Sequence, residues 1–378
     1  MKVTVLGAGL VGAPMAFDLA LDEELEVKVA DFSPVNLGKF LGSRIETVEA
    51  DLSNESLLLK VIDDADLVLC AVPGFMGYTT LKSIIQAGKD VVDISFFPED
   101  ALELNDLALK HDVTAIVDIG VAPGMSNILP GYVDSILDIT SSILIYVGGL
   151  PKVRELPYEY KAVFSPIDVI EEYTRPARYI QDGVLITKPA LSEPELLQFE
   201  KVGTLESFNS DGIRSLAKTM PHVPNIKEKT LRYPGHIKLM EIMREAGFFS
   251  SEPTEVNGVN VRPIDLTAKL LFPQWELKPG EVDFTIMRIE VEGVKDGVSL
   301  KYTYSLFDEY CPTSKVHSMA RTTGYTATTV LRMLSEGVYS EKGIIVPEYL
   351  GKHHKCVEYI LNGLKERGVN YELQVEEL

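Results

Sequence analysis

Cysteine is scarce. Cys70, Cys311 and Cys356 are the only three in 378 residues, scattered and odd in number. They build neither a disulfide framework nor a zinc site, and they suit a reducing, cytoplasmic compartment. Basic residues are also short, 36 against 56 acidic ones, for a formal net charge of −20. Nucleic acid calls for basic surface, so the balance argues against it. No apolar run is long and glycine-free enough to cross a bilayer, so no membrane partner is expected. Met1-Lys2 runs straight into a strand-like stretch, so no signal peptide is expected. Repeats and low-complexity segments are missing. His353 and His354 are adjacent, point apart on a helix and have no Cys or carboxylate at ligand spacing, so no metal is expected. What is present is a chain 46% hydrophobic, long for one core and comfortable for two domains. Its acidic surplus reads as solvated surface on a protein that handles small molecules.

The N-terminal third alternates strand and helix. "KVTVLGAGLVGAPMAFDLAL" reads as a buried strand, a glycine-rich turn and a helix. "LEVKVADF", "RIETVEADL", "ADLVLCAVPG", "DVVDISFF" and "VTAIVDIG" supply five further strands with mostly helical connections. This is the α/β class, a doubly wound parallel sheet of the Rossmann type. The fingerprint is Gly7-x-Gly9-x-x-Gly12, with Leu10 and Val11 between the last two glycines. A lone GxGxxG is as readily a flexible turn, but here a strand precedes it, a helix follows and Asp31 closes the next strand. Gly7 permits the turn, Gly9 admits a pyrophosphate and Gly12 lets helix and strand pack closely. Asp31 can accept from both adenosine ribose hydroxyls and would repel a 2′-phosphate. Phe32, Ser33 and Pro34 offer no cation to offset that, so NAD is favoured over NADP.

Ligands in open α/β sheets bind beyond the carboxyl ends of the strands. Val72-Pro73-Gly74 ends the fourth strand there, Asp93 and Ser95 the fifth, and Asp118 the sixth. Asp93 and Asp118 are either catalytic groups or caps of the segments that follow. After "APGMSN" the strict alternation stops. "SSILIYVGGLP" and "EYKAVFSP" read as strands, "IDVIEEYTRPARY" as a helix until Pro176, and "GTLESFNSDGIRSLAKTM" as strand, turn and short helix. "DFTIMRIEVEG" and "VSLKYTYSLFDE" alternate around Lys295-Asp296-Gly297 as a hairpin with one solvated face. These pieces imply a second, α+β domain on a largely antiparallel sheet. "HSMARTTGYTATTVLRMLSEG" opens a helical C-terminal part that ends in a short strand near "VNYELQV".

One stretch concentrates polar donors in this acidic chain: "TLRYPGHIK", Thr230 to Lys238, with a Pro234-Gly235 turn signal at its centre. Together with "GAGLVGAPMAFDLA", "AVPGFMGYTTLKSIIQAGKDVVDISFFPED", "DIGVAPGMSN", "YVGGLP", "EEYTRPAR" and "SDGIRSL", it resembles the saccharopine dehydrogenase superfamily, and most the lysine 6-dehydrogenase branch. The resemblance implies a dinucleotide-binding Rossmann domain over residues 1–122, rejoined by C-terminal helices over 318–378. Residues 123–317 would form a substrate-binding and dimerisation domain, hence a homodimer. It also implies NAD-dependent oxidative deamination at the ε-carbon of lysine. The products would be ammonia and 2-aminoadipate 6-semialdehyde, which cyclises. Two alternatives stand beside it: a saccharopine reductase or carboxynorspermidine-type dehydrogenase, and a non-enzymatic NAD-binding sensor.

Lysine chemistry sets requirements. The ε-amine, with a pKa of about 10.4, must lose a proton before hydride can leave, so a base is needed. Asp93, Asp118 and His236 are the candidates, and His236 is as well a satisfied structural histidine. The α-carboxylate calls for a bidentate arginine. Arg214, after the Asp211-Gly212 turn, is the first candidate and Arg232 the second, with Thr230 completing the holder. The bland reading of "TLRYPGH" is a strand-to-helix turn whose Arg and His pack and pair. Arg175 and Arg178, beside Glu171 and Glu172, read as an internal salt-bridge network.

Overall fold

The chain is described by a computed structural model over residues 1–163, 166–278 and 280–378. Its β-branched opening run forms β1 (Lys2–Leu6), buried at every position after the first, as befits a central parallel strand covered on both faces. Then come α1 (Gly12–Leu19), β2 (Glu26–Asp31), α2 (Pro34–Leu37), β3 (Glu46–Glu49), α3 (Glu55–Ile62) and β4 (Leu67–Cys70). After these follow α4 (Gly74–Gln86), β5 (Asp90–Asp93), α5 (Asn105–Lys110), β6 (Thr114–Ile116) and α6 (Met125–Ile136).

The middle of the chain runs β7 (Ile139–Pro151), α7 (Pro166–Thr174), β8 (Ala177–Gln181), β9 (Val184–Lys188), β10 (Glu195–Phe199), β11 (Gly203–Asn209) and α8 (Leu216–Thr219). It continues with β12 (Ile226–Arg232), α9 (His236–Glu245), a small ribbon of β13 (Thr254–Val256) and β14 (Val259–Val261), and α10 (Pro263–Trp275). The long hairpin β15 (Asp283–Lys295) and β16 (Val298–Glu309) follows. The C-terminal part is α11 (Ser318–Ser335), β17 (Gly343–Ile345), α12 (Pro347–Gly351), α13 (His354–Glu366) and β18 (Tyr371–Glu377).

Two compact units result: residues 1–137 with 320–370, and 138–319 with 371–378. These bounds differ from those expected. α6 belongs with the first unit, and the last eight residues leave the C-terminal helices to join the second. The first unit is a seven-stranded parallel sheet of order β17-β6-β5-β4-β1-β2-β3. Six strands are those read from the sequence. The seventh, β17, is only three residues long and pairs with β6 through Gly343↔Thr114 to Ile345↔Ile116. Strand order reverses between β1 and β4, the switch point at which such sheets bind ligands. A buried ionic knot ties the C-terminal helices to α1. The Asp18 carboxylate accepts from Thr328 Oγ1 at 2.6 Å, Arg332 Nη1 at 2.8 Å and Arg367 Nε at 2.7 Å.

The second unit is a nine-stranded mixed sheet, in which β12 and β7 run parallel and the other pairs antiparallel. The hairpin turns on Asp296 and Gly297, both with positive φ (52° and 79°), the geometry a two-residue loop needs between right-twisted strands. One face packs against α7, α9 and α10 around Tyr173, Phe208, Met240 and Trp275. The expected strand "EYKAVFSP" does not form: Glu159–Val163 are in no strand, and Phe164 and Ser165 lie outside the described residues. One edge of the hairpin is covered by β18, which pairs with β16 from Leu300↔Glu377 to Leu306↔Tyr371. Among the described residues no helix is long and apolar enough to cross a membrane.

Candidate active site

In the first unit the glycine fingerprint makes the cradle its spacing promised. Gly7 has φ +100°, which only glycine adopts freely, and a side chain there would lie 2.6 Å from the Ala71 carbonyl oxygen. A side chain on Gly12 would lie 2.1 Å from the Gly7 oxygen, so the first turn of α1 packs on the strand through bare backbone. At Gly9 an added side chain meets nothing within 4 Å. That is open space in front of the turn, where a pyrophosphate fits. Leu10 is exposed, Val11 caps α1, and Val72 is buried beside Pro73, the cap of α4, and Gly74, its first residue.

Asp31 is buried and ties the fingerprint to β2. Its Oδ2 accepts from Ala8 N at 2.7 Å and its Oδ1 from Ser33 N at 2.8 Å. Each carboxylate oxygen has further lone pairs for ribose hydroxyls. Three residues do not exhaust this corner, however. Lys39 brings its ammonium to 3.2 Å from the Ala8 oxygen and 3.1 Å from Asn36 Oδ1. The sequence reading looked for a cation only next to Asp31. Lys39 was missed because a helical turn and a short 3₁₀ turn, Gly38–Phe40, fold it back.

At the strand ends Asp93 is fully buried. Its Oδ1 accepts from Ser95 N at 2.6 Å, whereas Oδ2 has no hydrogen-bond partner among the described residues. Burial pushes its carboxyl up to about 7, against the Ser95 hydrogen bonds and with the charge of Asp118 adding to the rise. Cys70 Sγ lies 3.6 Å from Ser95 Oγ, and burial together with Asp93 drives its thiol up as well. Asp118 is buried with φ +55° just after β6. Asp93, Ser95, Cys70 and Asp118 therefore form one buried, electrostatically coupled cluster at the strand ends.

In the second unit, alternation along β12 sends Glu228, Thr230 and Arg232 to one face, all buried. Thr230 Oγ1 donates to Ser210 Oγ at 2.8 Å. Arg232 is fully engaged in packing: Nη2 on Glu172 Oε2 at 2.5 Å, Nη1 on the Leu231 oxygen at 2.9 Å and Nε on the Tyr173 hydroxyl at 3.2 Å. Its guanidinium also lies over the Tyr160 ring, 4.6 Å from the centroid. The Tyr173 hydroxyl in turn donates to His236 Nε2 at 2.9 Å, and His236 Nδ1 donates to the Tyr158 carbonyl at 2.7 Å. Both ring nitrogens are occupied. Burial, with the Arg232 charge, holds the imidazole down at about 3. His236 is thus a neutral ring that orients Tyr173.

Arg214 is half-buried with φ +49° at the start of the turn into α8. The expected network of Arg175 and Arg178 is redistributed. Arg175 pairs with Glu171 at 3.3 Å, but Arg178 forks onto Asp211 at 2.7 and 2.9 Å, and Glu172 serves Arg232. A second residue that sequence reasoning overlooked is Glu228. Its signal was there, two positions before Thr230 on the same strand face, but a glutamate in "IKEKT" reads as a solvated position until that face is known to be buried.

Two family models cover the chain. One, described as the saccharopine dehydrogenase NADP binding domain, matches residues 3–116, and the saccharopine dehydrogenase C-terminal domain matches residues 120–369. The chain is similar to the saccharopine dehydrogenase [NADP(+), L-glutamate-forming] of Saccharomyces cerevisiae, 27% identical over 68% of this chain and 60% of that protein. It is similar to the alpha-aminoadipic semialdehyde synthase of Arabidopsis thaliana, 27% identical over 57% of this chain and 21% of that protein. In these alignments it spans less than two thirds of the relatives' length. The carboxynorspermidine synthase of Vibrio cholerae is 23% identical over 93% of this chain and 92% of its own. The solved apo structure of the yeast saccharopine dehydrogenase shares the fold at a TM-score of 0.79 and 21% identity, covering 100% of this chain and 99% of that one. With both models in place along the sequence, the chain belongs to the saccharopine dehydrogenase family of oxidoreductases, with a first domain that binds a nicotinamide dinucleotide.

Proposed function

We propose that the protein oxidises the ε-amine of L-lysine, with NAD as hydride acceptor, to 2-aminoadipate 6-semialdehyde and ammonia. The observation that carries this reading is the charge inventory on the buried face of β12 and its surroundings. Arg178 is matched by Asp211 and Arg232 by Glu172, while the charge of Arg214 acts on Glu228. Burial holds Glu228 protonated at neutral pH, so these three arginines and three carboxyl groups carry one net positive charge. A substrate with one carboxylate and two amines suits that balance. Saccharopine, with three carboxylates, calls for a larger surplus of cations.

The bound dinucleotide supplies the hydride acceptor. The chain's own residues do the rest. Asp93 is the base: its unpartnered, buried Oδ2 near neutral pKa is suited to take the ε-ammonium proton, leaving a lone pair to stabilise the iminium as hydride departs. Water then adds to the carbon, the C–N bond breaks and ammonia leaves, with Asp93 or Asp118 handling the proton. His236 is removed from that list by its two hydrogen bonds. Within the second unit, Arg214 is suited to an α-carboxylate and Arg232 is committed to packing. Asp31 selects NAD, and Lys39 sets how much NADP is tolerated.

A second reading rests on the names of the relatives: a saccharopine- or carboxynorspermidine-type enzyme that joins or splits a secondary amine. A sensor role fits less well, because an unpartnered buried carboxylate is costly unless a ligand or proton uses it. The test is NADH or NADPH formation by the purified protein with lysine, cadaverine, saccharopine and carboxynorspermidine. Lysine with NAD should give the highest kcat/KM. Preference for saccharopine sinks the reading, and equal use of both cofactors sinks the assignment to Asp31.

A further inference from the structure

Glu228 is the second buried carboxyl group with an oxygen left unbonded. It is 5% exposed, and among the described residues Oε2 has no partner. It lies against the Asp211-Gly212 turn so closely that a side chain on Gly212 would fall 1.6 Å from Oε1. The turn has a glycine there because the carboxyl group fills the space. On its own strand Glu228 shares a face with Thr230 and Arg232, and Thr230 reaches Ser210 across that face. The charged groups around it are Glu172 from α7, Asp211 and Arg214. Two of these repel a carboxylate and one attracts it.

Such a placement disfavours the apo protein. Burial pushes Glu228 up to about 8, with Glu172 and Asp211 pushing the same way and Arg214 against. A hydrophobic residue of that size would pack without the penalty. What a carboxyl group gains there is a cation. Arg214, the candidate for the α-carboxylate, is its oppositely charged neighbour. In an amino acid the carboxylate and ammonium sit on one carbon, so a receptor needs an adjacent cation and anion in that order. Glu228 packs on Gly212, two residues before Arg214, and the Arg214 charge acts on it, so the two supply that cation and anion.

We propose that Glu228 receives the α-ammonium of the amino-acid substrate and, with Arg214, selects a free α-amino acid. This rests on the lysine reading above and adds to it the group that recognises the α-amine. Arg178 and Arg232 have their own carboxylates, so the other two acids, Asp211 and Glu172, are committed. Glu228 is the acid of the three with an oxygen to offer.

The experiment uses three substrates of equal reach: lysine, 6-aminohexanoate, which lacks the α-amine, and cadaverine, which lacks the carboxylate. Each is assayed with NAD on the wild type, Glu228→Gln and Arg214→Met. The wild type should favour lysine over both analogues. Glu228→Gln should lose roughly ten- to a hundredfold of the preference for lysine over 6-aminohexanoate, the worth of a charge-assisted pair, and keep the preference for lysine over cadaverine, which differs from lysine only in the carboxylate. Arg214→Met should do the reverse. Gln matches Glu in shape and replaces a carboxyl group that is protonated at neutral pH in the apo protein, so the variant should fold. Should it not, Glu228→Leu carries the same comparison. A Glu228 variant that discriminates against 6-aminohexanoate as strongly as the wild type overturns the proposal and leaves the lysine reading intact. A wild type inactive on lysine and active on saccharopine overturns both.

Discussion

Asp93 shows at the scale of one residue how stability and function pull apart. A carboxyl group raised to about 7 holds in the folded state a proton that the unfolded chain has released above about 4. Folded protein therefore binds more protons across that window. Stability falls as pH rises from about 4 to about 7 and stays reduced above it. Asp93→Asn keeps the acceptor for Ser95 N and removes the buried charge. We expect its melting temperature at pH 8 to match or exceed that of the wild type, while kcat falls on the order of a hundredfold or more for loss of the base. A variant with unchanged kcat would remove Asp93 from catalysis, and one that melts earlier at pH 8 would mean that its charge stabilises the fold. From sequence, Asp93 was a strand-end carboxylate with two equal roles. The structure shows both the bond from Ser95 N to one oxygen and a second oxygen that packing from the neighbouring strands leaves unpartnered among the described residues.

At the scale of elements, β12 and the helices upon it form one hydrogen-bonded series: Arg232 to Tyr173 to His236 to the Tyr158 carbonyl. It joins β12, α7 and α9 in the core of the second unit. His236→Asn breaks the link to Tyr173, and an unsatisfied buried group costs about 1–3 kcal/mol. The imidazole, held near 3, takes up its proton far below the usual range, so native stability is lost as pH falls from about 6.5 towards 3. We expect the variant to be less stable at pH 7, to lose less additional stability on acidification through that window, and to keep the shape of its pH–rate profile. A missing limb in that profile would restore His236 as a base. The stretch "TLRYPGHIK" announced a polar cluster correctly in composition. It did not announce that Tyr173 and Glu172, some sixty residues earlier, would absorb its Arg and His. That pairing depends on α7 lying across the strand.

For the whole molecule the open question is assembly. We expect a homodimer, as the family resemblance implies, and light scattering across a range of protein concentrations checks it: a monomer throughout rules it out. The same instrument tests the role of the last strand. β18 covers β16, and its own residues are largely exposed. Removing residues 371–378 uncovers a long strand edge, a template for pairing with other chains. The truncated protein should associate further or aggregate, and one that scatters as the full chain does would show that β16 needs no cover.

By itself the sequence determined what is local and periodic. The glycine fingerprint, the six alternating strands and the Asp296-Gly297 hairpin are all carried by neighbours within a few residues, through φ preference and the two-residue period of a strand. Tertiary structure decided whatever depends on distant partners. β17 is too short to signal itself and exists because β6 offers an edge. Lys39 enters the cofactor corner because a helical turn folds it back. Glu228 is buried because the Asp211-Gly212 turn packs against a strand position that, read alone, belongs in water. A charge has no fixed meaning until its surroundings set the dielectric and the partners, and those surroundings are assembled from residues far apart in the chain.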